Sequence, residues 1–324
     1  SGVLAQVLLA VIVLVPLSAF EGVAELTPAA AQLVRSAQAA TRICSLLDEE
    51  TPAQPHDIPE GATVIEARDL AIGWPGGPTL ATGISLTLRP GSSLAIVGPS
   101  GIGKTTLLAT LTGIIPPKSG SALINGVPAW GADRDQLTSR ITMTAEDAHV
   151  FHTSVLENLR VARGDVTPTE AGELLSRAGL GNWLEALPEG VETTIGTDAT
   201  TLSGGERRRL LLARALAAPA PLMLLDEPGE HLDALTADRL MTDLLTAGDQ
   251  GRGTLLVTHR LSALEHADEV LVMGHRPQAT GEQAPATILH RGSHRELQDV
   301  SETYRWSLSQ EDQDRQQDHV SGTS

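Results

Sequence analysis

The pattern of apolar and polar positions divides the chain near residue 55. An apolar run from Val3 to Phe20 comes first, and apolar residues then recur at helical spacing through Glu21–Glu50. Three prolines fall within the nine residues Thr51–Pro59, a composition that stops both helix and sheet. The pattern therefore predicts two helices, a linker over residues 51–61, and a separate domain over residues 62–300.

In that domain, short apolar runs alternate with helical patterns. Continuous apolar runs are typical of strands that are buried on both faces of a sheet. Helical segments between such runs predict an α/β fold with a largely parallel sheet. The predicted strands are Thr63–Asp69, Ile84–Leu88, Ser93–Val97, Ile141–Thr144, Leu222–Leu225, Thr254–Val257 and Glu269–Met273. Residues 275–287 are predicted to be a loop, and residues 301–324 a polar, disordered tail.

The apolar run at the start predicts the C-terminal part of a transmembrane helix, over residues 1–21. A bilayer span needs roughly 20 apolar residues, and only Gln6 and Ser18 place polar side chains in this run. A signal-peptide core and a buried soluble helix are the alternatives. Because the run begins abruptly, we expect further membrane helices upstream. Arg35 and Arg42 follow this run. Basic residues on the C-terminal side of a membrane span indicate that this side faces the cytoplasm.

Charge narrows the classes of partner. The formal net charge is −17, and binding of DNA or RNA depends on a basic surface. We therefore expect no nucleic-acid partner. The single cysteine excludes an internal disulfide.

One loop carries the clearest chemistry in the sequence. It follows the predicted strand Ser93–Val97 and precedes a helical pattern. It consists of Gly98, Pro99, Ser100, Gly101, Ile102, Gly103, Lys104, Thr105 and Thr106. Glycines let backbone N–H groups approach phosphate oxygens, the lysine reaches the outer phosphates, and the hydroxyl of Thr105 suits Mg²⁺. The pattern predicts a nucleoside triphosphate site.

Two later segments add groups for phosphoryl transfer. The apolar strand Leu222–Leu225 ends in Asp226 and Glu227, placed to hold Mg²⁺ and to polarise the attacking water, respectively. A pair of solvated acids at a strand end is the alternative. His259 follows the predicted strand Thr254–Val257, where it can hydrogen-bond the terminal phosphate. A structural histidine is the alternative.

A third segment combines small and polar residues before a helical run. It comprises Leu202, Ser203, Gly204, Gly205 and Glu206. A hydroxyl and backbone N–H groups at a helix N-terminus form an anion site. Ser203 and Glu206 also fit a capping box, which is a purely structural explanation.

These motifs, in this order, resemble the ATP-binding cassette (ABC) ATPases over about Thr63 to Leu297. The resemblance implies a mixed-sheet core with a helical subdomain, ATP and Mg²⁺ as ligands, and Asp226 on the metal. It also implies Glu227 as general base and His259 as sensor of the γ-phosphate. Residues 202–206 would contact ATP bound to a second subunit. Trp74 stands where the family stacks an aromatic ring on adenine, a buried core tryptophan being the alternative.

Two positions depart from the family pattern. Glu146 stands where the family has a glutamine that touches Mg²⁺ and couples to the membrane domain, and it is a candidate for the ATP and metal sites. Residues Glu230–Asp233 replace the usual Ser-Ala-Leu-Asp sequence. Both departures favour an unequal heterodimer over a symmetric homodimer.

The segment before the cassette resembles exporter half-transporters. It is most similar to the CydC-type subunit of the bacterial thiol-reductant exporter required for cytochrome bd assembly. This resemblance implies glutathione or cysteine export, a D-type partner subunit, and a cell-membrane location with the ATP-binding domain in the cytoplasm. The alternatives are an exporter of lipids, peptides or drugs, and a soluble ABC ATPase without transport activity.

Overall fold

The computed structural model describes most of the chain. The described residues are 26–47, 55–144, 148–196, 202–230, 232–246, 251–276, 284–302 and 304–311, with positions 2, 4, 7–9, 11, 12 and 15. The chain forms two compact units, Ser1–Ala53 and Gln54–Ser324.

The first unit is helical where it is described. Helix α1 spans Leu26–Leu47. The described positions among the first 15 residues are also helical, and their apolar side chains are exposed; Leu4, for example, is 72% exposed. Among the described residues, no helix combines the length and hydropathy needed to cross a bilayer. Residues 16–21 of the predicted membrane span, and several earlier ones, lie outside the described part of the chain.

A six-stranded mixed sheet organises the second unit. Its strands are β3 (Ser93–Val97), β6 (Ile141–Met143), β7 (Leu222–Asp226), β8 (Gly253–Val257), β9 (Glu269–Gly274) and β10 (Thr287–Gly292). The order across the sheet is β10-β9-β3-β8-β7-β6. All neighbours are parallel except β9 and β10. The α/β prediction is confirmed, and β3 lies between the two late strands β8 and β9.

A smaller antiparallel sheet has the order β2-β1-β4-β5. Its strands are β1 (Ile65–Ile72), β2 (Ala81–Leu88), β4 (Ser119–Ile124) and β5 (Val127–Pro128). The sequence pattern did not predict β4 or β5. The first residues of β4 are polar and exposed, so this strand owes its conformation to pairing with β1, through Ile65↔Ile124 and its neighbours.

Helices cover the sheets and form a separate helical segment after β6. They are α2 (Lys104–Leu111), α3 (Arg134–Arg140), α4 (Val155–Arg160), α5 (Pro168–Arg177), α6 (Gly181–Glu185), α7 (Gly204–Ala217), α8 (Ala234–Leu245) and α9 (His294–Val300). Short 3₁₀ helices span Gly190–Glu192 and Ser262–His266. Ser154 and Thr167 cap α4 and α5 by accepting hydrogen bonds from the third residue of each helix.

Strand β3 joins the two hydrophobic cores of the unit. Ala95 and Val97 belong to the core beneath the helical segment, whereas Leu94 and Ile96 belong to the core shared with the antiparallel sheet. All five β3 residues are buried. Burial on both faces explains the unbroken apolar run in the sequence, and it fixes the end of β3, where the glycine-rich loop begins.

Both ends of the second unit contain more structure than the sequence pattern predicted. In the predicted linker, the His56 N–H donates to the Gly131 carbonyl at 3.0 Å, and Ile58 is buried. In the predicted disordered tail, residues 304–311 are helical and Tyr304 is buried. Residues 312–324 lie outside the described residues.

Candidate nucleotide-binding site

The glycine-rich loop connects the buried strand β3 to helix α2. Lys104, the first residue of α2, is only 8% exposed. Its Nζ donates to the carbonyls of Gly98 at 2.9 Å and Pro99 at 3.0 Å. These bonds hold the ammonium group across the loop, while Ile102 packs into the core beneath it.

Helix α2 presents its N-terminus to the same loop. Gly103 precedes the helix with φ of 103°, a left-handed conformation that favours glycine, and no side chain caps the helix there. The first N–H groups of an α-helix have no partner within the helix, so they suit an anion. A lysine and an uncapped helix N-terminus together form a cationic cradle.

The carboxyl end of strand β7 lies opposite this cradle. Thr105 Oγ1 donates to Asp226 Oδ2 at 2.5 Å, which joins α2 to the end of β7. The Asp226 N–H donates to Thr144 Oγ1 at 3.0 Å. Burial raises the pKa of Asp226, the bond from Thr105 opposes that shift, and the neighbouring charge of Glu227 adds to it. A divalent cation beside this carboxylate would favour its ionised form.

The chemistry of these donors fits Mg²⁺. A hydroxyl and a carboxylate are hard oxygen ligands, and Mg²⁺ is commonly held by one or two protein groups together with waters and phosphates. Within the described residues, no three side chains of His, Cys, Asp or Glu cluster as a metal cage. Thr105 and Asp226 therefore suit a metal shared with phosphate oxygens.

Glu227 and His259 contact each other at the ends of β7 and β8. Glu227 has φ of 45°, and its N–H donates to the Val257 carbonyl at 2.9 Å. Its Oε2 lies 3.0 Å from His259 Nδ1. That hydrogen bond lowers the pKa of Glu227 and raises the pKa of His259, and burial opposes both shifts. The pair thus favours a glutamate anion at neutral pH.

Glu227, Asp226 and the glycine-rich loop share one cleft with Trp74. The side chain of Trp74 is 53% exposed, so the alternative of a buried core tryptophan is wrong. The cleft is lined by Trp74, Leu80, Ser100, Gly101, Gly103, Lys104, Thr105, Thr106, Asp226 and Glu227. Residues from four separate segments of the sequence thus meet at one edge of the sheets.

Residues 202–206 do not line that cleft. They form the N-terminus of α7, where Ser203 Oγ accepts from the Glu206 N–H at 3.2 Å. Glu206 Oε2 accepts from the Ser203 N–H at 2.7 Å, completing a capping box. Leu202 packs against the core, and Gly204 and Gly205 form the first turn of α7. The predicted anion site at this helix N-terminus stays a prediction.

The sequence pattern missed two residues near the site, and one predicted residue is not described. Glu146 lies outside the described residues. Thr144, predicted only as a strand residue, supports the backbone of Asp226. Arg208 forms an ion pair with Glu230 and lines a second cavity beside Asp226. The run of three arginines at 207–209, directly after the capping box, was the only signal for Arg208.

Comparisons with known proteins give a family match within this domain and several similar proteins. Residues 81–230 match the ABC transporter family. The chain is 35% identical, over 83% of its length, to the mycobactin import ATP-binding/permease protein IrtB of Mycolicibacterium thermoresistibile. It is 34% identical, over 87% of its length, to an ATP-dependent lipid A-core flippase of Xanthomonas campestris. It covers 46% of each relative, so the chain spans about half the length of these proteins.

A solved structure shares the fold. A bacterial Atm1-family ABC exporter with ATP bound superposes with a TM-score of 0.69 at 24% identity, over 84% of this chain and 47% of that one. Both the sheet arrangement and the helical segment are those of an ABC nucleotide-binding domain. Residues 81–230 of this domain therefore match the ABC transporter family, and the fold is that of an ABC nucleotide-binding domain.

Proposed function

We propose that this chain is the ATP-binding and ATP-hydrolysing part of an exporter-type ABC half-transporter. The observation that carries the proposal is the meeting of Lys104, Thr105, Asp226 and Glu227 in one cleft, with His259 hydrogen-bonded to Glu227. In this proposal Trp74 stacks on adenine, and the loop Gly98–Thr106 binds the phosphates.

Polar residues of the cleft have different roles in phosphoryl transfer. Lys104 neutralises charge on the outer phosphates, and Thr105 and Asp226 hold Mg²⁺, which supplies further charge neutralisation when bound. Glu227 accepts a proton from the attacking water, for which its lowered pKa keeps it ionised. His259 orients Glu227 and reaches the terminal phosphate. Glu146, which follows β6 in the sequence, contributes to the ATP and Mg²⁺ site.

Closure of two such domains completes the proposed site. Residues 202–206 stand apart from the cleft of their own chain, which supports a role on ATP bound to a partner subunit. The partner is proposed to be a second half-transporter of a different, D-type sequence, because Glu146 and Glu230–Asp233 depart from the family pattern.

The proposed function also includes transport across a membrane and a location at that membrane. The names of the relatives include a permease and a flippase, and both terms describe membrane proteins. The exposed apolar side chains near the start of the chain suit a lipid environment. We place the chain at the bacterial cell membrane, with its ATP-binding domain on the cytoplasmic side.

The proposed cargo is a thiol reductant, glutathione or cysteine, exported for cytochrome bd assembly. This assignment is supported by the resemblance of the segment before the cassette to CydC-type subunits. A lipid cargo is the second candidate, and the 34% identity to a lipid A-core flippase favours it. Vesicles containing the chain and its partner separate the two: ATP-dependent uptake of labelled glutathione or cysteine supports the thiol assignment. If neither glutathione nor cysteine is taken up and lipid is translocated instead, the thiol assignment is refuted.

The hydrolysis step is tested by Glu227→Gln, which keeps the shape of the side chain and removes the basic carboxylate. We expect ATP binding to persist and the turnover number to fall by about a hundredfold or more, because general base catalysis contributes about 10²–10⁴-fold. Glu185→Gln, at an exposed glutamate of α6, is the matched control and should hydrolyse ATP normally. A Glu227→Gln protein with the wild-type rate would refute the assigned base.

A further inference from the structure

The carboxyl-terminal segment reaches the backbone beside His259. Glu311 Oε2 accepts from the Leu261 N–H at 2.7 Å and from the Ser262 N–H at 3.3 Å. Ser262 Oγ donates to Glu311 Oε1 at 2.7 Å. These groups begin the 3₁₀ helix Ser262–His266, which has no side-chain cap from its own N-cap residue, Leu261. A carboxylate some 50 residues further along the chain therefore caps it.

His259 stands in a short segment that is anchored on both sides. Before it, the Thr258 N–H donates to the Ile96 carbonyl of β3 at 3.1 Å. After it, Arg260 Nη2 donates to the Leu232 carbonyl at a longer 3.3 Å, and Glu311 then holds Leu261 and Ser262. The Glu311 bonds are charge-assisted, and such bonds are roughly twice as strong as neutral ones.

The tail carrying Glu311 is docked independently of that carboxylate. Tyr304 is 2% exposed and packs in the core beneath the helical segment. Its hydroxyl lies 2.8 Å from His294 Nδ1, on helix α9. Removal of the Glu311 carboxylate should therefore leave the tail in place and release only the cap.

We propose that Glu311 is a positioning residue for ATP hydrolysis: by fixing Leu261 and Ser262, it sets where the His259 imidazole stands relative to Glu227. This inference rests on the function proposed above. The imidazole contacts Glu227 at 3.0 Å, and catalytic groups lose much of their effect when displaced by about 1 Å. The proposal gives the last described segment of the chain a role at a site distant in sequence.

The test compares Glu311→Ala, Glu311→Gln and a control in the 324-residue chain, paired with the partner half-transporter of the proposed function. Glu302→Ala changes an exposed glutamate in the same region. We expect Glu311→Ala to lower kcat for ATP about tenfold with KM for ATP unchanged. Glu311→Gln keeps an acceptor oxygen and should lie between Glu311→Ala and wild type. Glu302→Ala should match wild type.

A second measurement separates positioning from loss of folding. The pKa of His259 is raised by its bond to Glu227. Release of the loop should therefore lower the imidazole pKa, measured by NMR, most in Glu311→Ala, less in Glu311→Gln and not at all in Glu302→Ala. The inference is overturned if Glu311→Ala matches Glu302→Ala in kcat. It is also overturned if kcat falls while the His259 titration is unchanged. If the wild-type chain paired with that partner binds ATP but does not hydrolyse it, the proposed hydrolytic function is overturned instead.

Discussion

Replacement of Gly98 by alanine tests how tightly the phosphate loop is built against the sheet. An ideal Cβ at this position would lie 2.7 Å from the Met273 carbonyl oxygen and 3.2 Å from Met273 Cβ. That carbonyl belongs to β9, whose register with β3 is fixed by Val97↔Val272 and the pairs before it. Because the Met273 carbonyl is part of the sheet backbone, moving it aside would cost free energy. We expect a loss of about 2 kcal/mol in the free energy of unfolding, typical of overpacking.

The loop must shift to relieve the contact, and Lys104 shifts with it. Because Lys104 Nζ is bonded to the Gly98 carbonyl, ATP affinity should fall together with stability. The expected change in melting temperature is about 4–8 °C, measured by calorimetry, and isothermal titration reports ATP binding. Gly164→Ala, where an added Cβ meets nothing within 4 Å, is the control. A Gly98→Ala protein that melts and binds ATP like Gly164→Ala would refute this reasoning.

Two further predictions concern the ends of β7 and α7. The pKa of Glu227 is lowered from 4.5, so its carboxylate stabilises the fold above pH 4.5. The pKa of His259 is raised from 6.5, so its imidazolium stabilises the fold fully below pH 6.5. Melting temperatures across pH 4–9 should show the largest deficit of Glu227→Gln between about pH 4.5 and 6.5, shrinking as His259 deprotonates; a pH-independent deficit contradicts the pairing. Ser203→Ala and Ser293→Ala each remove one capping box and should each cost about 1 kcal/mol in urea unfolding. Only Ser203→Ala should also slow ATP hydrolysis, and equal rates in both variants would count against the proposed ATP contact.

The buried parallel strands could be predicted because burial on both faces of a sheet requires an unbroken run of apolar residues in the local sequence. Ser93–Val97 was predicted with its observed bounds, and Leu222–Leu225 and Thr254–Val257 each fell one residue short. Strands whose conformation depends on a distant partner were missed. Ser119–Ile124 is half polar and pairs with β1, and Thr287–Gly292 carries His290 and Arg291 on an antiparallel edge with β9.

The same distinction applies to the site. The phosphate loop and Asp226 could be predicted to meet, because parallel strands place their carboxyl ends at one edge of a sheet. The Thr144 support of Asp226 and the Glu311 cap could not be predicted. Each depends on a side-chain bond between segments 82 and 50 residues apart, respectively, and neither residue type is unusual in its local sequence. The exposure of Trp74 likewise needed the structure.

The position of β3 between β8 and β9 has a consequence for how the chain reaches its native state. The Ser93 N–H donates to Asp268 Oδ2 at 2.7 Å, and these residues are 175 positions apart in sequence. The central strand cannot acquire either neighbour until the last third of the domain has been synthesised, and contacts of such long range slow folding. A nascent chain that stops before β8 therefore has a phosphate loop whose strand β3 lacks both of its hydrogen-bonded neighbours. Nucleotide stabilises by mass action only the finished domain, so a chain truncated before β8 would gain no protection from it.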